Sequence, residues 1–232
     1  MRTTKKKYDP DGDRTDRQLR HFDWIAMGPL QPWQQDALTM LRPLRDMCKD
    51  CKMCRLGLKK PTIYGKIVQT QQVFSNMNPT KFVVVGQNPG FNECEQDEPF
   101  VGEAGKIFDR ECNKNGIMRK EFYITNTAKC STTDNTKPQD DEIRACEPYL
   151  AMELRIMRPT LVIALGAVAF KALCPNNNFS DRLGAITKSE KYGVKVFAVY
   201  HPSPTNMEDE FRAELFESHI KLLCKLITKL KE

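Results

Sequence analysis

The run FVVV at residues 82–85 passes directly into GQNPG at 86–90. Four β-branched or aromatic residues are too short a run for a helix and suit a strand buried on both faces, the strand type of parallel sheets. Gly86 and Gly90 supply the backbone freedom that a sharp turn needs, and Pro89 fixes the bend between them. A chain leaving a buried strand in this way points to an α/β arrangement, where ligands sit just beyond the carboxyl ends of strands. The polar, glycine-punctuated loop that runs on to Gly105 is therefore the first place to look for chemistry.

Three later runs repeat the pattern. EFYIT at 121–125, LVIAL at 161–165 and KVFAVY at 195–200 read as strands, and helical periodicity fills the intervals between them. Helices are expected over 34–47, where Ala37, Leu38, Leu41 and Leu44 share a face, over 102–115, and over 140–157, which opens on an acidic turn and stops before Pro159. A short helix follows Gly166, and a long amphipathic one spans 209–231. The expected fold class is α/β, three αβα layers around a central, mainly parallel four-stranded sheet. Residues 1–20 alternate Lys and Arg with Asp and carry few apolar side chains, so they read as a mobile arm. Residues 21–47 read as a helical extension and 48–232 as the main domain.

Lys and Arg (36) outnumber Asp and Glu (30), and the formal charge of +6 favours a polyanionic partner. No apolar run approaches the ~20 residues needed to span a bilayer, and the N-terminus lacks a signal peptide's apolar segment. A soluble, intracellular protein with no membrane contact is expected. Nine cysteines without a secretion signal argue for metal ligation or buried thiols rather than a disulfide framework. Cys48, Cys51 and Cys54 recur every three residues in CKDCKMC, a ligand-rich loop.

Three polar clusters stand at strand ends: GQNPG, Thr125-Asn126, and His201-Pro202-Ser203-Pro204. With CKMCRLG, PFVGEAG, YITNTAKC, LGAVA and VFAVYHPS in this order, the chain resembles the uracil-DNA glycosylase superfamily, and most resembles its iron-sulfur-containing family 4. The resemblance runs from about residue 48 to 206 and onto the last helix. It implies a DNA glycosylase that acts by base flipping on uracil-containing DNA, as a monomer associated with DNA. It also implies a four-iron, four-sulfur (4Fe-4S) cluster held by Cys51, Cys54, Cys130 and Cys146. Soft thiolates in a set of four select either such a cluster or zinc, and zinc stays open as the alternative. Cys48 offers an overlapping pair with Cys51, whereas Leu56 favours the second pair; Cys94, Cys112, Cys174 and Cys224 read as structural or surface thiols.

The resemblance extends to an active site. Phe100 matches the ring that stacks on the extruded base, and without the family it reads equally as a core aromatic. Asn126 matches the residue that reads the uracil edge, donating to O4 and accepting from N3–H, a pattern that cytosine reverses. His201 matches the group that stabilises charge on uracil O2 as the glycosidic bond stretches. Ser203, Pro204 and Thr205 match a loop that holds flanking phosphates, with Thr205 where relatives carry an apolar wedge and Met207 as a substitute. Gln87, a candidate both for catalysis and for binding uracil, stands where family 4 proteins carry Glu, so Asn88 is expected to orient the attacking water through its carbonyl, with Glu93 as the other candidate. Gly90 stands where a family 1 tyrosine blocks C5 substituents, which implies tolerance of 5-substituted uracils. Lys59, Lys60 and Lys66 are expected to add phosphate contacts. The competing readings are a catalytically weak binder of DNA or protein and an enzyme that modifies pyrimidines within DNA.

Overall fold

The computed structural model describes residues 37–49, 51–57, 66–67 and 82–232. The expected arm at 1–20, most of the extension at 21–47, and Lys59 and Lys60 lie outside the described residues.

The sheet has six strands in the order β1-β3-β2-β4-β6-β5. Four of them are the strands read from the sequence: β2 (Phe82–Gly86), β3 (Phe122–Asn126), β4 (Leu161–Leu165) and β6 (Lys195–Val199). All four run parallel, with Val84 level with Ile124 on one side and Ile163 on the other, and Ile163 level with Phe197. The four-strand expectation falls short by two antiparallel edges, β1 (Lys66–Ile67) on β3 and β5 (Ile186–Lys188) on β6. Both are two or three residues long and carry lysine, so neither has the apolar run that marks a strand in sequence.

Alternation along each strand sorts the core into two halves. On one face Val83, Val85, Tyr123, Val162, Ala164 and Val196 pack against helices α1 (Ala37–Lys49), α4 (Asp140–Met157) and α5 (Ala167–Leu173), which contribute Leu41, Leu44, Leu150 and Phe170. On the other, Phe82, Val84, Phe122, Ile163 and Phe197 meet α3 (Glu103–Lys114) and α7 (Glu210–Lys231) through Phe108, Phe216 and Ile220. This is the three-layer αβα arrangement. Two short helices, α2 (Phe91–Gln96) and α6 (Pro204–Met207), lie in the loops after β2 and β6.

The chain leaves β2 for β3 on one side, then crosses to β4 on the other. The reversal falls at the carboxyl ends of the parallel strands, where a crevice opens in sheets of this kind. Helix α4 begins as its acidic turn predicts: the Glu142 carboxylate accepts from the Gln139 backbone N–H at 2.7 Å. It ends at Arg158, in a left-handed conformation just before Pro159.

Candidate active site

The loops after β2, β3 and β6 meet around a cavity of about 240 Å³ bordered by Gln87, Asn88, Phe91, Phe100, Asn126 and His201. Gly86 ends β2, and its missing side chain shapes the floor. A Cβ there would stand 2.2 Å from the Phe100 ring and 2.5 Å from Asn126 Oδ1, so only glycine lets both groups close over the strand end. Phe100 is buried, in a left-handed conformation (φ 56°). Arg119 holds it there by donating to the carbonyls of Phe100 (2.9 Å) and Pro99 (2.5 Å) while pairing with Asp109. A Cβ on Gly105 would fall 1.8 Å from the Phe100 carbonyl oxygen, which explains the second glycine of PFVGEAG.

Asn126, the last residue of β3, is buried, and its Oδ1 has no hydrogen-bond partner among the described residues. A buried unpaired acceptor costs about 1–3 kcal/mol, so its presence at a cavity wall calls for a ligand donor. The backbone around it is fixed from below. Lys129, fully buried, donates to the Asn126 carbonyl at 2.6 Å, to Thr125 Oγ1 at 2.8 Å and to Glu153 Oε2 at 2.6 Å, and Tyr123 donates to Glu153 Oε1 at 2.8 Å.

His201 follows β6, with its ring centroid 5.9 Å from that of Phe100 and the planes inclined at 51°. Burial pushes its pKa down to about 4, against a smaller upward pull from the Glu93 carboxylate, so the imidazole is neutral at pH 7. Its backbone is tied back by Asn206, which donates to the His201 carbonyl at 2.8 Å and accepts from Arg212 at 3.1 Å. Gly166, at φ +89°, leaves the histidine room, since a Cβ there would meet His201 Cβ at 2.9 Å.

Asn88 sits in a closed amide network. The two hydrogens of its Nδ2 are shared among three acceptors, the carbonyl of Pro89 (3.0 Å), Thr132 Oγ1 (3.3 Å) and Asn135 Oδ1 (3.1 Å), while its Oδ1 accepts from Gln87 Nε2 (2.9 Å). Thr132 and Asn135 were not among the residues that the motifs single out. They come from the threonine-rich loop after β3, which turns back through left-handed Asp134 and Asn135. The only sequence signal for that turn is the DN pair.

Glu93 lies in α2 and is buried. Its carboxylate accepts from the backbone N–H groups of Gly90 (3.0 Å), Val101 (2.9 Å) and Gly102 (2.8 Å). It thus locks the GQNPG turn to the PFVG turn. Gly90 is needed for this clamp, because a Cβ would come 2.7 Å from Glu93 Oε2. Ser203 and Pro204 also border the cavity. Ser203 caps α6 by accepting from the Asn206 N–H, Pro204 and Thr205 are exposed, and Met207 packs partly against the α3/α7 core rather than projecting from the loop. Of Lys66 only the backbone is described, in β1.

The four cysteines expected as ligands gather on the α4 side of the sheet. Cys51 and Cys54 lie in the loop after α1, Cys130 after β3 and Cys146 on α4, and all are buried. Burial raises the thiols of Cys54 and Cys146; Cys54 also feels Cys51, and Cys146 feels Cys130 and Cys54. Backbone N–H groups of Leu56 and Gly57 point at the Cys54 sulfur, and that of Lys129 donates to Cys146 Sγ at 3.4 Å. The fold around them is specific: Arg55 donates to the buried Glu142 carboxylate at 2.5 Å, and a Cβ on Gly57 would strike the Cys51 carbonyl at 2.4 Å. Thiols supplied with N–H donors fit a thiolate-bound iron-sulfur centre. Among the described residues no three His, Cys, Asp or Glu side chains are placed to hold a single metal ion. Cys48 is buried beside this group, near Cys51 and Cys146. Of the remaining thiols, Cys112 and Cys224 hydrogen-bond to each other between α3 and α7.

Comparison with known proteins agrees with the geometry. A type-4 uracil-DNA glycosylase of Archaeoglobus fulgidus is 33% identical over 156 residues, 64% of this chain and 78% of that protein. One of Saccharolobus solfataricus is 30% identical over 195 residues, 80% of this chain and 86% of its own. A type-5 uracil-DNA glycosylase of Pyrobaculum aerophilum is 36% identical over a shorter 99 residues, 40% of this chain and 41% of its own. The model described as uracil DNA glycosylase superfamily matches residues 74–223, a span that takes in every loop around the cavity, and the chain belongs to that superfamily.

Proposed function

We propose that the protein is a hydrolytic DNA glycosylase that removes uracil from DNA and leaves an abasic site. The unpartnered Oδ1 of Asn126, facing a cavity shared with Phe100 and a neutral His201, carries the reading. Uracil presents N3–H as a donor and O4 as an acceptor; one fixed amide meets both, and cytosine meets neither. The nucleotide must leave the base stack to reach these groups, and Phe100 offers it a ring to stack on. His201 donates from a neutral ring nitrogen to O2, where negative charge grows as the glycosidic bond lengthens toward an oxocarbenium-like sugar.

Of the two candidates for the water, Asn88 is favoured. Both Glu93 oxygens are taken up by backbone N–H groups, and Glu103, the other carboxylate on the cavity wall, is exposed and paired with Lys106. Asn88 has its amide nitrogen surrounded by acceptors and its Oδ1 accepting one bond from Gln87, so its carbonyl has a set direction and its second lone pair can align a water without taking its proton. Gly90 borders the cavity with no side chain of its own, which supports acceptance of 5-substituted uracils even though Glu93 fills the direction a Cβ would take, and the loop of Ser203, Pro204 and Thr205 supports contact with flanking phosphates. The protein acts as a monomer.

Cys51, Cys54, Cys130 and Cys146 are proposed to hold a 4Fe-4S cluster. Buried thiols supplied with backbone N–H donors support the cluster, and zinc, which four thiolates also suit, is the alternative. The cluster supplies cross-linking of the N-terminal loop to α4 and β3. That no carboxylate on the cavity wall is free among the described residues gives one observation in favour of the weak-binder reading.

Base release from single- and double-stranded oligonucleotides carrying uracil or 5-hydroxymethyluracil, by protein of measured iron content, tests the proposal. Free uracil is expected, and its absence with a full complement of iron would favour the binder.

A further inference from the structure

Phe91 has no part in the roles above. It is 77% exposed, the most exposed of the large apolar side chains among the described residues, yet it borders the cavity together with Ser203 and Pro204. Nothing in the core explains it, because it buries almost nothing. Its place is nevertheless fixed. It opens α2 immediately after Gly90, whose N–H is held by Glu93 and whose carbonyl accepts from Cys94 at 3.2 Å. Its exposed neighbours Asn92, Glu95 and Gln96 are polar. A lone ring in polar surroundings lacks the contiguous apolar area that a protein partner needs. It has what a nucleobase needs: a rigid, open π-face on the rim of a cavity.

We propose that Phe91 is a stacking platform for the base next to the extruded nucleotide, and that it favours uracil in single strands. This rests on the glycosylase reading only for the identity of the extruded base. In a duplex the base next to the extruded nucleotide stays paired and held within the helix; in a single strand it is unpaired and can turn onto an aromatic at the rim. Stacking of one base on one aromatic corresponds to about 5- to 150-fold in affinity.

The test pairs Phe91→Ala and Phe91→Trp with Leu222→Ala, which removes a comparable exposed side chain far along α7. A single-stranded oligonucleotide carrying 2-aminopurine beside uracil is titrated into each protein, and KM and kcat are measured on the same sequence in single- and double-stranded form. Phe91→Ala should abolish the binding-induced quenching of 2-aminopurine and raise KM on the single strand by about 5-fold or more, with kcat within two-fold. Phe91→Trp should restore both, the duplex should change less, and Leu222→Ala should match the parent. Unchanged quenching and KM in Phe91→Ala would overturn the platform. Quenching that depends on Phe91 without base release by the parent would leave the platform standing and remove the glycosylase reading instead.

Discussion

His201 shows how burial selects a chemical role. Its pKa of about 4 keeps the ring neutral across the physiological range, so glycosylase activity should stay level from pH 8 down to about 5 and fall only near 4. A rate profile that breaks near 6.5 would contradict this. Stability has the same sign. Between about 6.5 and 4 the unfolded chain binds a proton that the folded chain refuses, so folding should weaken as pH falls through that window and be unaffected by this residue above it. Replacing His201 with Ala should lower kcat by about 10²–10³, the usual cost of one donor to developing charge. Gly86→Ala should be as damaging by a different route. Its methyl group must displace the Phe100 ring, Asn126 Oδ1 or both, and overpacking of this kind costs about 1–3 kcal/mol. Uracil release should drop while the protein still purifies as a folded, iron-bearing species.

At the scale of elements, α2 shows what a single buried carboxylate can organise. Glu93→Gln replaces one acceptor oxygen with an amide group that faces backbone N–H donors. It should cost about 1–3 kcal/mol in thermal unfolding and raise KM, because the GQNPG and PFVG turns lose their common clamp. The parallel strands and long helices were readable in the sequence because each carries a full apolar run or period. The sheet edges were not, since pairing there depends on neighbours distant in the chain. The same division holds in the site. Gln87, Asn88, Phe100, Asn126 and His201 announce themselves in motifs and do meet at one cavity. Thr132 and Asn135 reach Asn88 from 44 and 47 residues away, and no local pattern encodes such a meeting. The clamp made by Glu93 was not legible because α2 is only six residues long and has no apolar face.

Across the whole molecule, the Lys129–Glu153 pair joins the reading edge to the cysteine-rich side. Lys129 holds the Asn126 carbonyl with its ammonium and the Cys146 sulfur with its backbone N–H. Lys129→Met leaves Glu153 buried without its cation and should destabilise the fold by about 3–5 kcal/mol, whereas a paired Lys129→Met/Glu153→Met change should recover much of the loss in thermal melts. With the proposed cluster in place, Cys146→Ser should lower iron content and the melting temperature together, since metal bound to the folded state adds its binding free energy to folding. The glycine at the end of β2 sets a limit of another kind. Because the cavity floor at Gly86 has no space for one more carbon, lineages descending from this protein cannot place a side chain at that position without moving Phe100 or Asn126. The rim is open at Phe91 and Thr205, so inherited changes in which nucleic acids are accepted should accumulate there, around an unaltered centre.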